Sequence, residues 1–378
     1  MNVQHVATDP DKPRTLENAK AWMKDRLAKR IHPLGLTDPH ETLNAIDRLE
    51  GLDGANWAKS WTASGRTFLD LAAAAEDRGD VEAARQNYYQ AYAFFFLGRF
   101  PCPNHPDKQA SYELELDAYQ NFGRLAEPPI AAVTIPFESG THGDRLRFYV
   151  RKPVGVSKPP VVIMWGGVDA WKEEMTELSS FLATAGIATI AMDNVGTGES
   201  PIKAKGDGER QFVPVIEWVK ANTDLDGSRI VLVGRSFGGH WATKLAHLMP
   251  EALRGAVNWG GGVHFMFQRD WVAQSRYPDS YLMELVETRS RMLGATNDEE
   301  YAEGFRILSL LDQGLLDRPC APLLLVNGKD DKQCPIADIH LLLEHGSPKT
   351  VRLFPGGHMG FGPQTVPTIV RWIEERLN

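Results

Sequence analysis

Three cysteines in 378 residues, Cys102, Cys320 and Cys334, are too few and too widely spaced for a disulfide framework or a zinc cage. In a chain long enough to bury its own core, this scarcity fits a reducing compartment, and a cytoplasmic location is expected. No apolar run approaches the ~20 residues that cross a bilayer. The N-terminus, MNVQHVATDPDKPRTLENAKAWMKDRLAKR, also lacks the apolar centre of a secretory signal. Neither export by that route nor a membrane span is expected. Blocks of like charge are missing too: 41 Lys plus Arg against 49 Asp plus Glu leave a net charge of −8. Without a basic patch there is no electrostatic footprint for nucleic acid or an anionic lipid surface. The phosphate-binding pattern G-x-x-x-x-G-K-[ST] is absent, and no His/Asp/Glu cluster has metal-ligand spacing. No metal or other cofactor is expected; the partner implied is a small-molecule substrate.

What is present divides in two. Residues 15–125 are rich in Ala, Leu, Glu, Arg and Gln, with breaks at His32-Pro33, Gly51 to Gly54 and Pro101 to Pro106 that read as helix boundaries. Trp61, Phe68, Leu69, Ala72 and Ala75 recur at helical spacing. After Gly79-Asp80, so do Val81, Ala84, Tyr88, Ala91, Tyr92 and Phe95, which predicts a helical hairpin. One such unit without a second copy at a fixed period does not make a repeat array. The aromatic run Phe94-Phe95-Phe96 reads as core and interdomain packing.

After Pro128-Pro129, strands are predicted at 131–137 and 146–150, joined by a turn over Gly140 to Gly143. Continuous Val/Ile-rich runs then alternate with helical patterns. Strands are expected at 161–165, 187–192, 230–233, 255–259, 323–326 and 351–354, and helices near 172–185, 210–221, 240–249, 336–344 and 366–376. This alternation predicts an α/β fold with a mostly parallel, doubly wound sheet covered on both faces. Between about 262 and 317 the period is helical and no strand is evident, so this stretch reads as a lid. The expected organisation is a helical domain over 1–127 and a sheet domain over 128–378 carrying that lid.

The chemistry gathers at strand ends. Gly234-Arg235-Ser236-Phe237-Gly238 follows the strand at 230–233 and precedes a helix, which is G-x-S-x-G in a strand-turn-helix setting. A tight turn there exposes the Ser236 hydroxyl beside a helix N-terminus, where the Phe237 N–H can meet a developing oxyanion. A second donor is expected from Gly166-Gly167-Val168-Asp169 after the strand at 161–165, through the N–H of Gly167 or Val168. A serine nucleophile needs a base, and the base needs an orienting acid. The loop Asn327-Gly328-Lys329-Asp330-Asp331 offers two carboxylates, and Pro355-Gly356-Gly357-His358 offers the histidine. The other histidines, His5 and His142 among them, have structural readings, apart from His264 at the start of the lid. Trp259, His264 and Phe267 are candidate walls of an apolar or aromatic substrate pocket, against the alternative of ordinary lid packing. The G-x-G within Asp193 to Ser200 lacks the third glycine of a dinucleotide fingerprint.

Elbow, acid loop and histidine loop, in that order over roughly 130–378, resemble the alpha/beta-hydrolase superfamily. Gly328, Asp331 and Pro335 reproduce the G-x-x-D-x-x-x-P spacing of that family's acid loop, which favours Asp331 over Asp330, and D-x-x-G-x-G-x-S from Asp193 resembles its structural turn. The helical domain in front, Gly166 to Asp169 followed by Trp171-Lys172-Glu173-Glu174, and Gly356-Gly357-His358 are similar to a narrower group. That group includes FrsA-like esterases, the pseudooxynicotine hydrolase and fungal polyketide-shortening hydrolases. The resemblance implies a Ser236-Asp331-His358 triad, a site between the two domains and a homodimer. It leaves the bond undecided between carbon-carbon cleavage and ester hydrolysis; the aromatic residues of 259–283 set an aromatic or polyketide-like ketone slightly ahead of an ester, with acyl transfer or a non-catalytic binding module as alternatives. In the carbon-carbon group a lid carboxylate has a role, and Asp270 is the nearest one here.

Overall fold

The computed structural model describes residues 14–138 and 145–378. The predicted turn over Gly140 to Gly143, His142, and the tail that contains His5 lie outside the described residues. The chain forms two compact units, one of residues 1–131 and 279–288, the other of 132–278 and 289–378.

The first unit holds helices α1 (Leu16–Ala28), α2 (Pro39–Arg48), α3 (Gly54–Asp77), α4 (Val81–Arg99) and α5 (Pro106–Leu125). Their starts are written locally: the side chains of Thr15, Asp38, Asp53 and Asp80 each accept a first-turn N–H. The predicted hairpin is α3 and α4, broken at Gly79, where φ is 74°. Trp57, Trp61, Tyr92 and the Phe94-Phe95-Phe96 run are all at most 1% exposed and form the core of this unit. Two ion pairs are buried with them: Arg99 Nε lies 3.0 Å from Glu115 Oε2, and Lys108 Nζ lies 2.5 Å from Glu284 Oε2. Glu284 comes from the segment 279–288, whose backbone also accepts from guanidinium groups, Ser280 from Arg26 at 2.6 Å and Tyr281 from Arg14 at 3.0 Å.

The helical period of 262–317 predicts one continuous lid on the sheet domain, but 279–288 belongs to the helical unit. The partners that hold it there lie over 170 residues away in sequence, beyond the reach of local periodicity.

The second unit is built on an eight-stranded sheet in the order β1-β2-β4-β3-β5-β6-β7-β8. Its strands are β1 (Ile130–Pro136), β2 (Arg145–Arg151), β3 (Val161–Trp165), β4 (Ala188–Met192), β5 (Ile230–Arg235), β6 (Gly255–Trp259), β7 (Leu323–Gly328) and β8 (Thr350–Phe354). β2 runs antiparallel to β4, and from β4 across to β8 every neighbouring pair is parallel. Strands β3 to β7 are buried along nearly their whole length, as expected of a sheet covered on both faces. Helices α6 (Thr176–Thr184), α7 (Val213–Ala221), α8 (Gly238–Leu248), α9 (Arg269–Gln274), α10 (Leu285–Leu293), α11 (Asp298–Arg306), α12 (Ala337–Glu344) and α13 (Thr365–Leu377) complete the chain.

Two predicted helices start later than their apolar period suggests. The one expected from 210 opens as a 3-10 turn, Gly208–Gln211, and becomes α7 only at Val213. Pro214 has no N–H to donate and therefore sits in the first turn of α7. The one expected from 172 likewise opens as Glu173–Met175 before α6.

Register sets the site. Trp165 pairs with Gly234, Arg235 with Trp259, Trp259 with Val326, and Gly328 with Phe354. The carboxyl ends of β3, β5, β6, β7 and β8 therefore line one edge of the sheet, where ligand sites of open α/β sheets lie.

Candidate active site

Ser236 follows β5 with φ at 54°, a left-handed conformation costly for a residue with a Cβ. The strain is held by its neighbours. The Ser236 N–H donates to the Trp259 carbonyl at 2.7 Å, and the Trp165 indole N–H donates to the Gly238 carbonyl at 2.8 Å. Two glycines make room for the turn. A Cβ on Gly238 would meet the Gly166 carbonyl and the Trp165 ring, and one on Gly167 would stand 2.9 Å from the Ser236 Cβ. Helix α8 begins immediately after, so the hydroxyl lies next to a helix N-terminus.

From the loop after β8, His358 reaches this hydroxyl: its Nε2 is 2.7 Å from Ser236 Oγ. Its Nδ1 is 2.8 Å from Asp331 Oδ2, and Asp331 comes from the loop after β7. The carboxylate is fully satisfied, since Oδ2 also accepts from Asn327 Nδ2 at 2.9 Å and Oδ1 from the N–H groups of Gln333 and Cys334 at 2.7 and 3.1 Å. Burial works to raise its pKa, but the facing His358 ring and these donors outweigh it and hold the group below the ordinary carboxylate range. Asp330 is exposed and tied instead to Gly356, so of the two aspartates only Asp331 meets the imidazole.

The N–H of Phe237 lies at the start of α8, as expected. Of the two choices on the other side, Gly167 is excluded as a donor, because its N–H is already engaged by the Ala170 carbonyl at 3.0 Å. The contribution of Gly167 is its missing side chain. Val168 remains, in a loop fastened by the Trp171 indole N–H on the Val168 carbonyl at 3.1 Å and by Lys172. Lys172 is fully buried, with its Nζ 2.8 Å from Asp193 Oδ2, 3.0 Å from Glu199 Oε2 and 3.1 Å from Glu173 Oε1. Asp193 opens the D-x-x-G-x-G-x-S turn, which here serves as the anchor of this loop.

The expected pocket walls are corrected by packing. Phe267 is 0% exposed, enclosed by Phe237, His240 and Phe305, so it belongs to the core. Trp259 is 4% exposed, and its indole N–H donates to the Met359 carbonyl at 2.8 Å, which makes it a brace of the histidine loop. His264 is half-buried, with its Nδ1 2.7 Å from Ser309 Oγ. Asp270 is exposed in the first turn of α9.

Sequence reasoning missed Asn327. Its Nδ2 holds Asp331, while its Oδ1 accepts from Met359 N–H at 2.8 Å and Gly328 N–H at 2.8 Å, linking the acid and histidine loops. A polar residue ending the buried apolar run of β7 was its only signal. Asp338 was missed as well: its carboxylate caps the turn after β6 by accepting from the N–H groups of His264, Phe265 and Met266. Folding also groups what sequence spacing does not: Asp331, Cys334 and His358 each bring a donor atom within 4.8 Å of the others. Two of the three lie four residues or fewer apart, but the third comes from another loop.

No described helix is long and apolar enough to cross a membrane. Comparison with known proteins gives a consistent grouping. The model of the "Esterase FrsA-like" family matches residues 34–378. Curated relatives include Esterase FrsA of Photobacterium profundum, 23% identical over 88% of this chain and 79% of its own length. Esterase FrsA of Escherichia coli O139:H28 is 25% identical with the same coverage. Among solved structures, the 2,6-dihydroxy-pseudo-oxynicotine hydrolase superposes with a TM-score of 0.78 at 22% identity, over 93% of this chain and 95% of that one. AbyA5 gives 0.72 at 21% identity, over 94% and 98%.

Proposed function

Since the chain belongs to the FrsA-like esterase family and is a hydrolase with the alpha/beta-hydrolase fold, we propose that it is a serine hydrolase in which Ser236, His358 and Asp331 act as nucleophile, base and orienting acid. The observation that carries this reading is the continuous hydrogen-bonded line from Ser236 Oγ to His358 at 2.7 Å and from His358 to Asp331 at 2.8 Å, ending on a strained serine.

Ser236 Oγ attacks a substrate carbonyl carbon while His358 Nε2 takes its proton. Asp331 holds the tautomer with the proton on Nδ1 and stabilises the imidazolium. The carbonyl oxygen, now negative, is held by the N–H groups of Phe237 and Val168. The imidazolium passes the proton to the leaving group, and water then repeats the sequence to release the acyl group.

A carboxylic ester is the substrate class favoured, because the relatives matched along most of the chain are esterases. Carbon-carbon bond hydrolysis of an aromatic or polyketide-like ketone is the second reading, supported by a near full-length likeness to a pseudo-oxynicotine hydrolase. It uses the same steps with a carbon leaving group that takes the proton. A homodimer in the cytoplasm completes the reading; three cysteines that form no disulfide support the compartment, and sedimentation of the purified protein tests the dimer.

A fluorophosphonate probe tests the nucleophile without a known substrate. The expected result is one adduct on Ser236 by peptide mass spectrometry, lost in both Ser236→Ala and His358→Ala. Folded protein that takes no label, or takes it elsewhere, overturns the reading. Aryl esters and β-diketones then separate the two substrate classes.

A further inference from the structure

Beside the Ser236–His358–Asp331 line, the acid loop carries a group that the proposed mechanism does not use. Cys334 is 2% exposed, and its Sγ stands 3.4 Å from the Met266 thioether sulfur. Its backbone N–H fixes it against Asp331 Oδ1, so its sulfur shares a small volume with the carboxylate and the ring of His358. One donor atom from each of Asp331, Cys334 and His358 lies within 4.8 Å of the other two. In a tetrahedral site with metal–ligand bonds of 2.0–2.3 Å, donors stand roughly 3.3–3.8 Å apart, so an ion here opens the 2.8 Å Nδ1–Oδ2 pair by about 0.5 Å and draws no other pair of donors in by more than about 1.5 Å. Thiolate, imidazole and carboxylate, with a thioether adjacent, suit soft and borderline ions and not Mg²⁺ or Ca²⁺.

We propose that Asp331, Cys334 and His358 form a binding site for a soft divalent cation of the Zn²⁺ or Cd²⁺ kind, and that the bound ion switches the serine off. The ring nitrogen on this side is Nδ1, which faces Asp331 Oδ2 at 2.8 Å. An ion there takes the Nδ1 lone pair, and the proton that Nδ1 carried moves through solvent to Nε2. With Nε2 protonated, the ring donates to Ser236 Oγ and can no longer accept its proton. The Cys334 thiol loses its proton to solvent and its sulfur pair forms the metal bond. One proton is released per ion, and nothing is oxidised or reduced. The binding half of the proposal is independent of the catalytic reading, while the inhibitory half rests on it.

Cd²⁺ is the probe, because a thiolate–cadmium bond gives its own ultraviolet charge-transfer band. The full chain, reduced and freed of metal by EDTA, is titrated with CdCl₂ while the band and fluorophosphonate labelling are followed in parallel. The expected result is a band that saturates at one ion per chain, labelling that falls at least tenfold with the same midpoint, and recovery of both on adding EDTA. Cys334→Ala should lose the band and move the labelling midpoint at least tenfold higher. Cys102→Ser/Cys320→Ser, which keeps Cys334 as the single thiol, should retain the band, and this arm decides the matter even when the Cys334 variant folds poorly. A band that survives in Cys334→Ala or vanishes in the double variant overturns the site. A saturated band with undiminished labelling overturns the switch. Metal-free protein that never labels counts against the serine hydrolase reading alone, since the band still reports the ion.

Discussion

Two adjacent aspartates with different fates define the residue scale. Asp331 faces His358 while Asp330 points to Gly356, so Asp331→Asn should lower turnover on the order of 10⁴-fold and Asp330→Asn by less than tenfold. Steady-state rates on an aryl ester, measured side by side, check this, and a severe loss in Asp330→Asn alone would reverse the assignment. Asn327→Ala leaves the Met359 and Gly328 N–H groups without their acceptor, at an expected cost of about 1–3 kcal/mol in a urea titration. The spacing of Gly234, Ser236 and Gly238, and of Gly328, Asp331 and Pro335, was readable along the chain because each motif folds on itself. Asn327 and the Trp259 indole were not readable, since their partner Met359 becomes a neighbour only through loop packing, and the Gly167 N–H is taken by a local turn to Ala170 that a glycine pair alone does not specify.

At the scale of elements, the loop after β3 depends on a lysine that never meets water. Lys172 stands among Glu173, Asp193 and Glu199, so Lys172→Met leaves buried carboxylates unpaired and should cost about 3–5 kcal/mol. The same variant should lower kcat more than it raises KM if, as proposed, the Val168 N–H in the loop it anchors serves the oxyanion; an unchanged kcat in folded protein argues against that role. Burial pushes the Glu173 carboxyl up to about 7 from an ordinary 4.5, against the pull of Lys172. Between those values the folded chain keeps a proton that the unfolded chain releases, so this group makes stability fall as pH rises through the window. His247, depressed by burial to about 4, acts in the opposite sense over 6.5 to 4. Glu173→Gln should therefore flatten the fall between pH 5 and 7 in urea midpoints, and an identical slope in both proteins would clear Glu173. Strand positions were legible because β3 to β7 are unbroken apolar runs. Helix starts were less so, because Pro214 and the turn at Glu173 override the apolar period.

At the scale of the whole molecule, the chain passes from one unit to the other three times, near residues 131, 278 and 288. Composition foretold a helical part and a sheet part, yet not that ten residues from the lid would be counted with the helices. Lys108 waits in α5 for a carboxylate that arrives 176 residues later. A fragment ending at residue 131 buries that ammonium unpaired and should unfold without a cooperative transition. Joining residues 279–288 to it through a flexible linker should restore one, as circular dichroism during heating would report. The threading also bears on descent. A recombination event that exchanges everything before β1 with a cousin's helices would deliver a lysine and two arginines tuned to one strap and leave them facing another. Substitutions at 14, 26, 108 and 279–288 should therefore travel together through the lineage, and the helical and sheet parts should be inherited as a pair, not traded as separate parts.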